Sequence, residues 1–307
     1  MVWRYYLGGL SINFQEITLA QKPLFDKYFK QQRYENAHFN FTNLYMWRNI
    51  YSIRWTENNG YLMIRAGYGG RQFILQPMGP RVGMESVLEE LVACFASESL
   101  PFIMSGVEKF MIDIFEKWQP GQFNFTADRD NFDYVYNSKD LIELKGRKYH
   151  GKKNHINSFL RNYPQHEYLP LTPDWAASCI ETQLEWCRKK GCDDDPSLKG
   201  ERDAIIEVFS HWDELGLTGG LITIDGKVEA FTFGEQLNND TAVIHVEKAN
   251  PDIRGVYPVI NQKFCQNAWQ QLAFINREED MGLEGLRKAK ESYYPAKMIE
   301  KFVVTPK

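Results

Sequence analysis

Between Asn276 and Gly282 the chain reads Asn-Arg-Glu-Glu-Asp-Met-Gly, directly after the short apolar run AFIN. If that run is a strand of an open α/β sheet, the polar cluster lies beyond its carboxyl end, where such sheets take their ligands. Glu278 and Glu279 are candidate bases for removing a proton from a nucleophile, and Arg277 is a candidate ligand for an anion or a developing oxyanion. Asp280 reads equally well as a helix N-cap. The sequence continues LEGLRKAKESYYP, and helical spacing puts Leu286, Ala289, Lys290 and Tyr293 on one face. Lys290 therefore interrupts an apolar stripe, with Arg287 one turn earlier and Tyr294 beside it. These residues could bind an anion while a carboxylate acts as base. The plainer alternatives are internal ion pairs and a solvated loop whose acids favour the coming helix N-terminus.

A second concentration of charge precedes it. From Lys145 to Tyr163 the chain carries Lys145, Arg147, Lys148, Lys152, Lys153 and Arg161 with His150 and His155, and no carboxylate. The whole chain is slightly acidic, with 36 Lys+Arg against 40 Asp+Glu. A carboxylate-free basic run in such a chain points to an anionic partner, although most charge runs are merely solvated faces. A helix here would align Tyr149, Ile156, Phe159, Leu160 and Tyr163, with Lys152 and Lys153 in the gap between Tyr149 and Ile156. Ammonium groups in line with an apolar stripe either snorkel outward or face a polar cleft. Gly146 and Gly151 weaken the start of that helix.

These groups need a scaffold, and the order of elements suggests which. In the first half a helix (22–33) precedes strands at YSIRWTE, YLMIRA and RQFILQ. A helix over 84–97, the strand PFIMSGV, a short helix through Phe115 and a strand at FDYVYN follow. The second half has helices near 174–190 and 199–215, then GLITID and VEAFTFGE joined at Asp225-Gly226, a pair suited to a tight hairpin. TAVIHVEK, a helix over 256–269, AFIN, a helix over 283–293 and the last strand MIEKFVVT complete it. Both halves read α-βββ-α-β-α-β, which is the element order of the Gcn5-related N-acyltransferase fold. The expectation is a mixed α/β tandem duplication, with an N-terminal domain over 1–140 and a C-terminal domain over 141–307 that carries the basic segment and the site.

Composition narrows the classes further. The 307 residues are 43% hydrophobic and 14% aromatic, which suits packed globular structure and excludes a disordered chain. No apolar run is long enough to span a bilayer, and the first residues lack a secretory leader's pattern. A cytoplasmic placement is expected, peripheral to the inner face of the membrane if the acceptor is a lipid. The five cysteines, Cys94, Cys179, Cys187, Cys192 and Cys265, form no CxxC pair and read as reduced, mostly buried thiols. No His/Cys spacing suggests a metal, and His245, inside an apolar strand, reads as a satisfied core histidine. The stretch NAHFNFTNLYMWRN reads as core packing around the first strand, in preference to a stacking surface.

In single-domain acyltransferases of this fold, a Gly-rich turn after the third long strand cradles the coenzyme A pyrophosphate on helix N–H groups. The equivalent stretch is NPDIRGVYP, residues 250–258. Arg254-Gly255 keeps half of the usual R-G-x-G pattern, but Tyr257 stands at the second glycine and Pro258 lacks a donor. Coenzyme A use is therefore doubtful, and no cofactor is expected.

The stretches GRKYHGKKNHINSFLRNYP and FINREEDMGLEGLRKAKESYYPAKMIEKF resemble a bacterial family related to the C-terminal catalytic domain of phosphatidylglycerol lysyltransferase, and the resemblance extends over essentially the whole chain. It implies two Gcn5-related folds packed together, as in the peptidoglycan bridge-forming aminoacyltransferases. It also implies transfer of an aminoacyl group from charged tRNA to a lipid headgroup, a peptide or a small amine or hydroxyl acceptor. On that reading Glu279 or Glu278 is the base, and Arg277, Arg287 and Lys290 bind phosphate or stabilise charge. Lys148, Lys152 and Lys153 hold the tRNA acceptor end or an anionic headgroup, with His155, Arg254 and Tyr294 as further substrate ligands. Two other readings stay open: an acyl-CoA-dependent N-acyltransferase, and a non-catalytic protein that binds RNA or anionic membranes.

Overall fold

A computed structural model describes residues 12–190 and 196–307. The chain forms two compact units: one runs to Asn131 and takes back Glu300–Lys307, and the other is Phe132–Ile299.

The first unit is built on a mixed seven-stranded sheet. Its strands are β1 (Gln15–Glu16), β2 (Arg54–Asn58), β3 (Tyr61–Tyr68), β4 (Arg71–Leu75), β5 (Met104–Val107) and β6 (Phe123–Ala127), together with the chain's last strand. The helix Met84–Ser97 buries Met84, Val87, Leu88, Leu91, Cys94 and Phe95, the three-and-four spacing of an apolar stripe. These meet Met63 and Ile74 of the sheet in one core. The aromatic stretch does supply core, as a helix over Phe41–Trp47 capped by Asn40, with Phe41, Leu44, Tyr45 and Met46 buried.

The second unit also has a seven-stranded sheet, from β7 (Asp133–Asn137), β8 (Glu167–Leu171), β9 (Thr218–Ile224), β10 (Lys227–Asn238), β11 (Thr241–Ala249), β12 (Phe274–Asn276) and β13 (Lys297–Ile299). Their order is β13-β7-β12-β11-β10-β9-β8. Asp225 and Gly226 turn the β9–β10 hairpin with φ of 52° and 81°, the left-handed pair that a two-residue turn requires. The helices His150–Asn162 and Val256–Ala268 pack Ile156, Phe159, Val259, Ile260 and Phe264 against Ile222, Ala230 and Ile244 of the sheet.

The strands cross between the units in a way the repeat pattern hides. FDYVYN, expected to end the first half, is β7 and lies inside the second sheet, antiparallel to both β12 and β13. The expected last strand is two: β13 stays in the second sheet, and β14 (Phe302–Pro306) inserts between β5 and β6 of the first. The division thus falls at Asn131/Phe132 instead of after residue 140, and the C-terminal segment returns to the first unit.

Cys94, Cys179 and Cys265 are buried free thiols, whereas Cys187 is disulfide-bonded, which corrects the expectation of a fully reduced set. Cys192 lies outside the described residues. Among the described residues no helix is long and apolar enough to cross a membrane.

Candidate active site

The parallel strands β11 and β12 pair only over Thr241–Val243 with Phe274–Asn276. Beyond that, β11 continues to Ala249 while the chain turns away at Arg277. Their carboxyl ends therefore part, and the cluster singled out in the sequence leaves from this opening.

A β-bulge prepares the facing strand. Phe233 pairs with Val246 and Gly234 with Ile244, so His245 is an extra residue. A Cβ at Gly234 would fall 2.0 Å from the Val243 carbonyl oxygen, so this close approach of two backbones requires glycine. The extra residue also reverses the alternation of side chains along β11. Ala242 and Ile244 share the core with Ala249, five positions beyond Ile244, and Glu247 is turned the same way. It reaches Asn261 on the helix Val256–Ala268, whose Nδ2 donates to Glu247 Oε2 at 2.8 Å.

Glu247 Oε1 accepts from Arg277 Nη2 at 2.9 Å, with each side chain 12% exposed. Burial works against the guanidinium's charge, but Glu247, joined by Tyr136, Tyr293 and Cys265, outweighs that and favours the charged form. The Arg277 guanidinium lies 4.8 Å from the ring centroid of Tyr293, and the Lys152 ammonium lies 3.9 Å from the same ring. Burial, with Arg277 adding repulsion, pulls Lys152 down to about 8, against an opposing pull from Glu247. Lys152 is thus the lysine of the basic helix that faces the cleft, and Lys153 is exposed. Ile156 and Phe159 are buried as the stripe requires, but Leu160 is 39% exposed and lies off it.

The acidic loop is fixed from beneath. Lys290, 8% exposed, donates to three successive carbonyls, those of Arg277, Glu278 and Glu279. Consecutive carbonyls can converge on one ammonium only if the backbone leaves the extended region, and Glu278 has φ of 56°. Burial lowers Lys290 to about 8, with Glu279 opposing. Asp280 is fully buried: Arg287 grips both its oxygens at 2.8 Å and the Tyr134 hydroxyl donates at 2.6 Å. Burial would raise this carboxyl, but those donors hold it well below the usual carboxylate range. Asp280 therefore anchors the loop and is not a surface N-cap. Lys290 and Arg287 are engaged inside the loop.

Glu278 points its carboxylate at His245, whose Nδ1 lies 2.9 Å from Oε1 while Nε2 lies 3.3 Å from Glu235 Oε1. The imidazole is completely buried. Burial alone would lower its pKa, but the two carboxylates outweigh that and hold it at about 9, so it is an imidazolium at neutral pH. The core histidine read from the sequence is satisfied, as a cation between two acids.

The remaining candidates lie near the surface. Lys148 is exposed and stacks over Tyr149 and Tyr294 at 4.8 and 5.2 Å from their centroids. Arg254 is exposed, with Nε 3.3 Å from His155 Nδ1. Glu279 is half-buried, its carbonyl on Lys290. Sequence reasoning missed Glu247, Asn261 and Glu235, took Tyr293 only as part of an apolar stripe, and took Glu278 as a base instead of the partner of His245. Charged residues at His245 and Glu247 inside an apolar strand were a signal, but only the bulge decides which face they take. Among the described residues no group of three or more His, Cys, Asp or Glu side chains could hold a metal.

The chain matches the family described as phosphatidylglycerol lysyltransferase, C-terminal, over residues 30–305. A conserved protein of unknown function from Bacteroides thetaiotaomicron VPI-5482 is 38% identical, with a TM-score of 0.91 covering 96% of this chain and 100% of that one. L-PGS from Bacillus licheniformis is 12% identical with a TM-score of 0.64, over 92% and 91% of the two chains. FemX is 9% identical with a TM-score of 0.57, over 95% and 97%. A tandem GNAT protein from the clavulanic acid biosynthesis pathway has a TM-score of 0.51 at 8% identity, over 95% and 97%. Among curated proteins, an uncharacterized protein of Mycoplasmoides gallisepticum is 24% identical over 174 residues, 56% of this chain and 55% of that protein, so the chain spans about half the length of that relative. The fold is a tandem duplication of the Gcn5-related N-acyltransferase fold.

Proposed function

This chain belongs to the phosphatidylglycerol lysyltransferase C-terminal family, and we propose that it is an aminoacyltransferase that moves an aminoacyl group from charged tRNA to a hydroxyl or amine acceptor. The observation that carries this reading is Lys152, half-buried at the opening of β11 and β12 and drawn down to about 8 beside Arg277.

An aminoacyl ester is already activated, so the protein must position two substrates, move one proton and steady one oxyanion. The acceptor oxygen or nitrogen attacks the ester carbonyl carbon and its proton passes to the neutral amine of Lys152. The ester carbon–oxygen bond then breaks, and the leaving ribose oxygen takes the proton back from the Lys152 ammonium. Arg277, held by Glu247 and by the ring of Tyr293, faces the developing negative charge. Lys290 and Asp280 fix the loop that carries it. Glu278, engaged by His245, keeps that loop against β11. Exposed Lys148 and Lys153 would meet the phosphates of the tRNA end or of an anionic headgroup.

The backbone of the turn at 250–258 argues against a coenzyme A pyrophosphate there. A Cβ at Gly255 would lie 2.3 Å from the His155 carbonyl oxygen, so the backbone there is packed against the basic helix. The Val256 N–H bonds within the turn to Ile253, Pro258 has none, and the Tyr257 side chain stands where close approach would be needed. This supports a donor other than acyl-CoA. The family description names a phosphatidylglycerol acceptor, and that lipid is the first acceptor to try.

The test is transfer of labelled amino acids from a freshly charged total tRNA pool into lipid and peptide extracts. Label in either extract supports the reading and identifies the acceptor. If neither is labelled while acetyl-CoA protects the protein against heat, the reading fails and the acyl-CoA alternative replaces it.

A further inference from the structure

The aromatic stretch of the first unit does not end in the core. Its last ring, Trp47, is half-buried and its centroid lies 6.2 Å from that of Tyr51, which lies 5.3 Å from that of Tyr68. Tyr68 is 58% exposed. It leads into the Gly69-Gly70 turn between β3 and β4, where a Cβ on either glycine would meet nothing within 4 Å, so bare backbone adjoins the ring. Arg71, its partner across the hairpin, is exposed. The rings thus run in series from a helix end to an open hairpin tip.

Charge of one sign adjoins them. Arg48, Asn49 and Ser52, on either side of Tyr51 in the chain, line a cavity of about 130 Å³ with Arg54 of β2 and Glu16 of β1. Arg48 is fixed in place: Nη1 donates to the Tyr45 carbonyl at 2.7 Å and the guanidinium lies 3.7 Å from the Tyr45 centroid. Arg54 Nη2 lies 3.0 Å from Glu16 Oε1. Two guanidinium groups against one carboxylate leave the cavity positive, in a chain whose net charge is -4. Ser52 holds φ of 46°, a region a serine occupies only when its surroundings impose it. Glu16 pairs with Arg54 and Arg54 with Arg65, while the Gly67 N–H donates to the Tyr51 carbonyl at 2.7 Å. Cavity and rings therefore share one end of the first sheet.

We infer that this end of the first sheet binds single-stranded nucleic acid, with a phosphate in the arginine-lined cavity and unpaired bases against Trp47, Tyr51 and Tyr68. Every base has a π-face and every nucleotide a phosphate, so the binding tolerates changes of sequence. Charge alone does not choose among anions, but the rings do. A duplex hides its bases in the stack, and an acidic peptide brings carboxylates without flat rings to lay on the aromatic series. All of these residues belong to the first unit, and none has a part in the proposed transfer step, so the inference goes beyond that reading and does not depend on it.

The test is fluorescence anisotropy of labelled decauridylate with the full chain, in competition with unlabelled single strand, a duplex of the same length and decaglutamate. Saturable binding is expected, with the duplex and the peptide displacing the label far less well than the single strand. Tyr68→Ala should weaken binding roughly tenfold, the effect of one lost stacked base. Arg54→Ala should lower the slope of log affinity against log salt by about 0.7, one phosphate contact on a single strand. Glu16→Gln, which removes the carboxylate that competes for Arg54, should tighten binding. Tyr68 and Glu16 are both exposed, so these two variants keep the fold. Unchanged affinity in Tyr68→Ala, or displacement by duplex or decaglutamate as good as by single strand, overturns the inference. Binding that survives Tyr68→Ala but is lost in Lys148→Ala/Lys153→Ala also overturns it and puts the strand on the basic helix. Transfer from charged tRNA separates the two readings. Binding that needs Tyr68, without any transfer, keeps this surface and removes the transferase, whereas transfer together with Tyr68-independent binding keeps the transferase and removes this surface.

Discussion

Lys152 and Arg277 share one aromatic ring: the ammonium lies 3.9 Å and the guanidinium 4.8 Å from the centroid of Tyr293. Two cations share this small space because a ring quadrupole attracts each and Glu247 neutralises Arg277. The consequence falls on Lys152, the weaker base of the two. It is the one whose proton becomes removable near neutral pH.

The Lys152 titration itself can be observed. With selectively labelled lysine, its Nζ should titrate near 8, below the ordinary lysine value of 10.5. Burial is the main cause, with Arg277 second and Glu247 opposing. Glu247→Gln should therefore lower the Lys152 value further, and Arg277→Gln should raise it. A Lys152 titration at the ordinary lysine value of 10.5 would remove the proposed proton carrier.

The basic helix divides its labour between two adjacent lysines. Lys153→Ala should weaken tRNA binding and reduce the slope of log affinity against log salt by about 1, the signature of one lost phosphate contact. Lys152→Ala should leave that slope nearly unchanged, because its ammonium is turned inward over Tyr293. Filter binding between low and moderate salt checks both, and identical slopes for the two variants would contradict the division.

His245 should make stability depend on pH in a predictable direction. Its folded pKa of about 9 lies above the ordinary value of 6.5. The folded state therefore holds the proton more tightly, and the stabilisation is complete below about 6.5 and lost as pH rises through 9. The shift corresponds to about 3 kcal/mol. Urea unfolding of the wild type and of His245→Gln should show a difference near pH 6 that shrinks by about that amount at pH 9.5. Lys152 and Lys290, both lowered, contribute in the opposite sense above pH 8, but they are common to both proteins and cancel in the difference.

Much of this was legible in the sequence, and the limits have physical causes. Most elements of the α-βββ-α-β-α-β order survived because each carries its own period or turn signal, such as Asp225-Gly226, whereas β1, β6 and β8 went unread. Lys152 and Lys290 stood out because a charge inside an apolar stripe must be accounted for locally. What did not show was pairing at a distance. β7 (DYVYN) and β14 (FVVTP) are short strands without a clear alternation, and nothing local says which sheet each one joins. The bulge at His245 was invisible for the same reason, and with it the face of Glu247. Arg277 was recognised as a candidate, but its partner lies 30 residues away on another strand.

Lys290, buried beneath the acidic loop, should matter to stability far more than a surface lysine would. Lys290→Met removes one ammonium and leaves three carbonyls of the 277–279 turn in need of donors, with Glu278 still at positive φ. The expected loss is about 2–5 kcal/mol by urea unfolding. Lys290→Arg should recover little, because a planar fork cannot gather three carbonyls at one point. A loss within 0.5 kcal/mol, roughly the level of an ordinary surface change, would show that the loop is held elsewhere.

The most direct measurement is single-turnover transfer from charged tRNA to phosphatidylglycerol vesicles or the labelled extract fraction, with wild type and Lys152→Arg side by side across pH 6 to 9. The wild-type rate should rise with a limb near 8, and Lys152→Arg, which keeps the positive charge but cannot release its proton, should be slower by roughly 10²–10⁴ and lose that limb. Equal rates and equal pH profiles for the two proteins would contradict the assignment of proton transfer to Lys152, and with it the central claim.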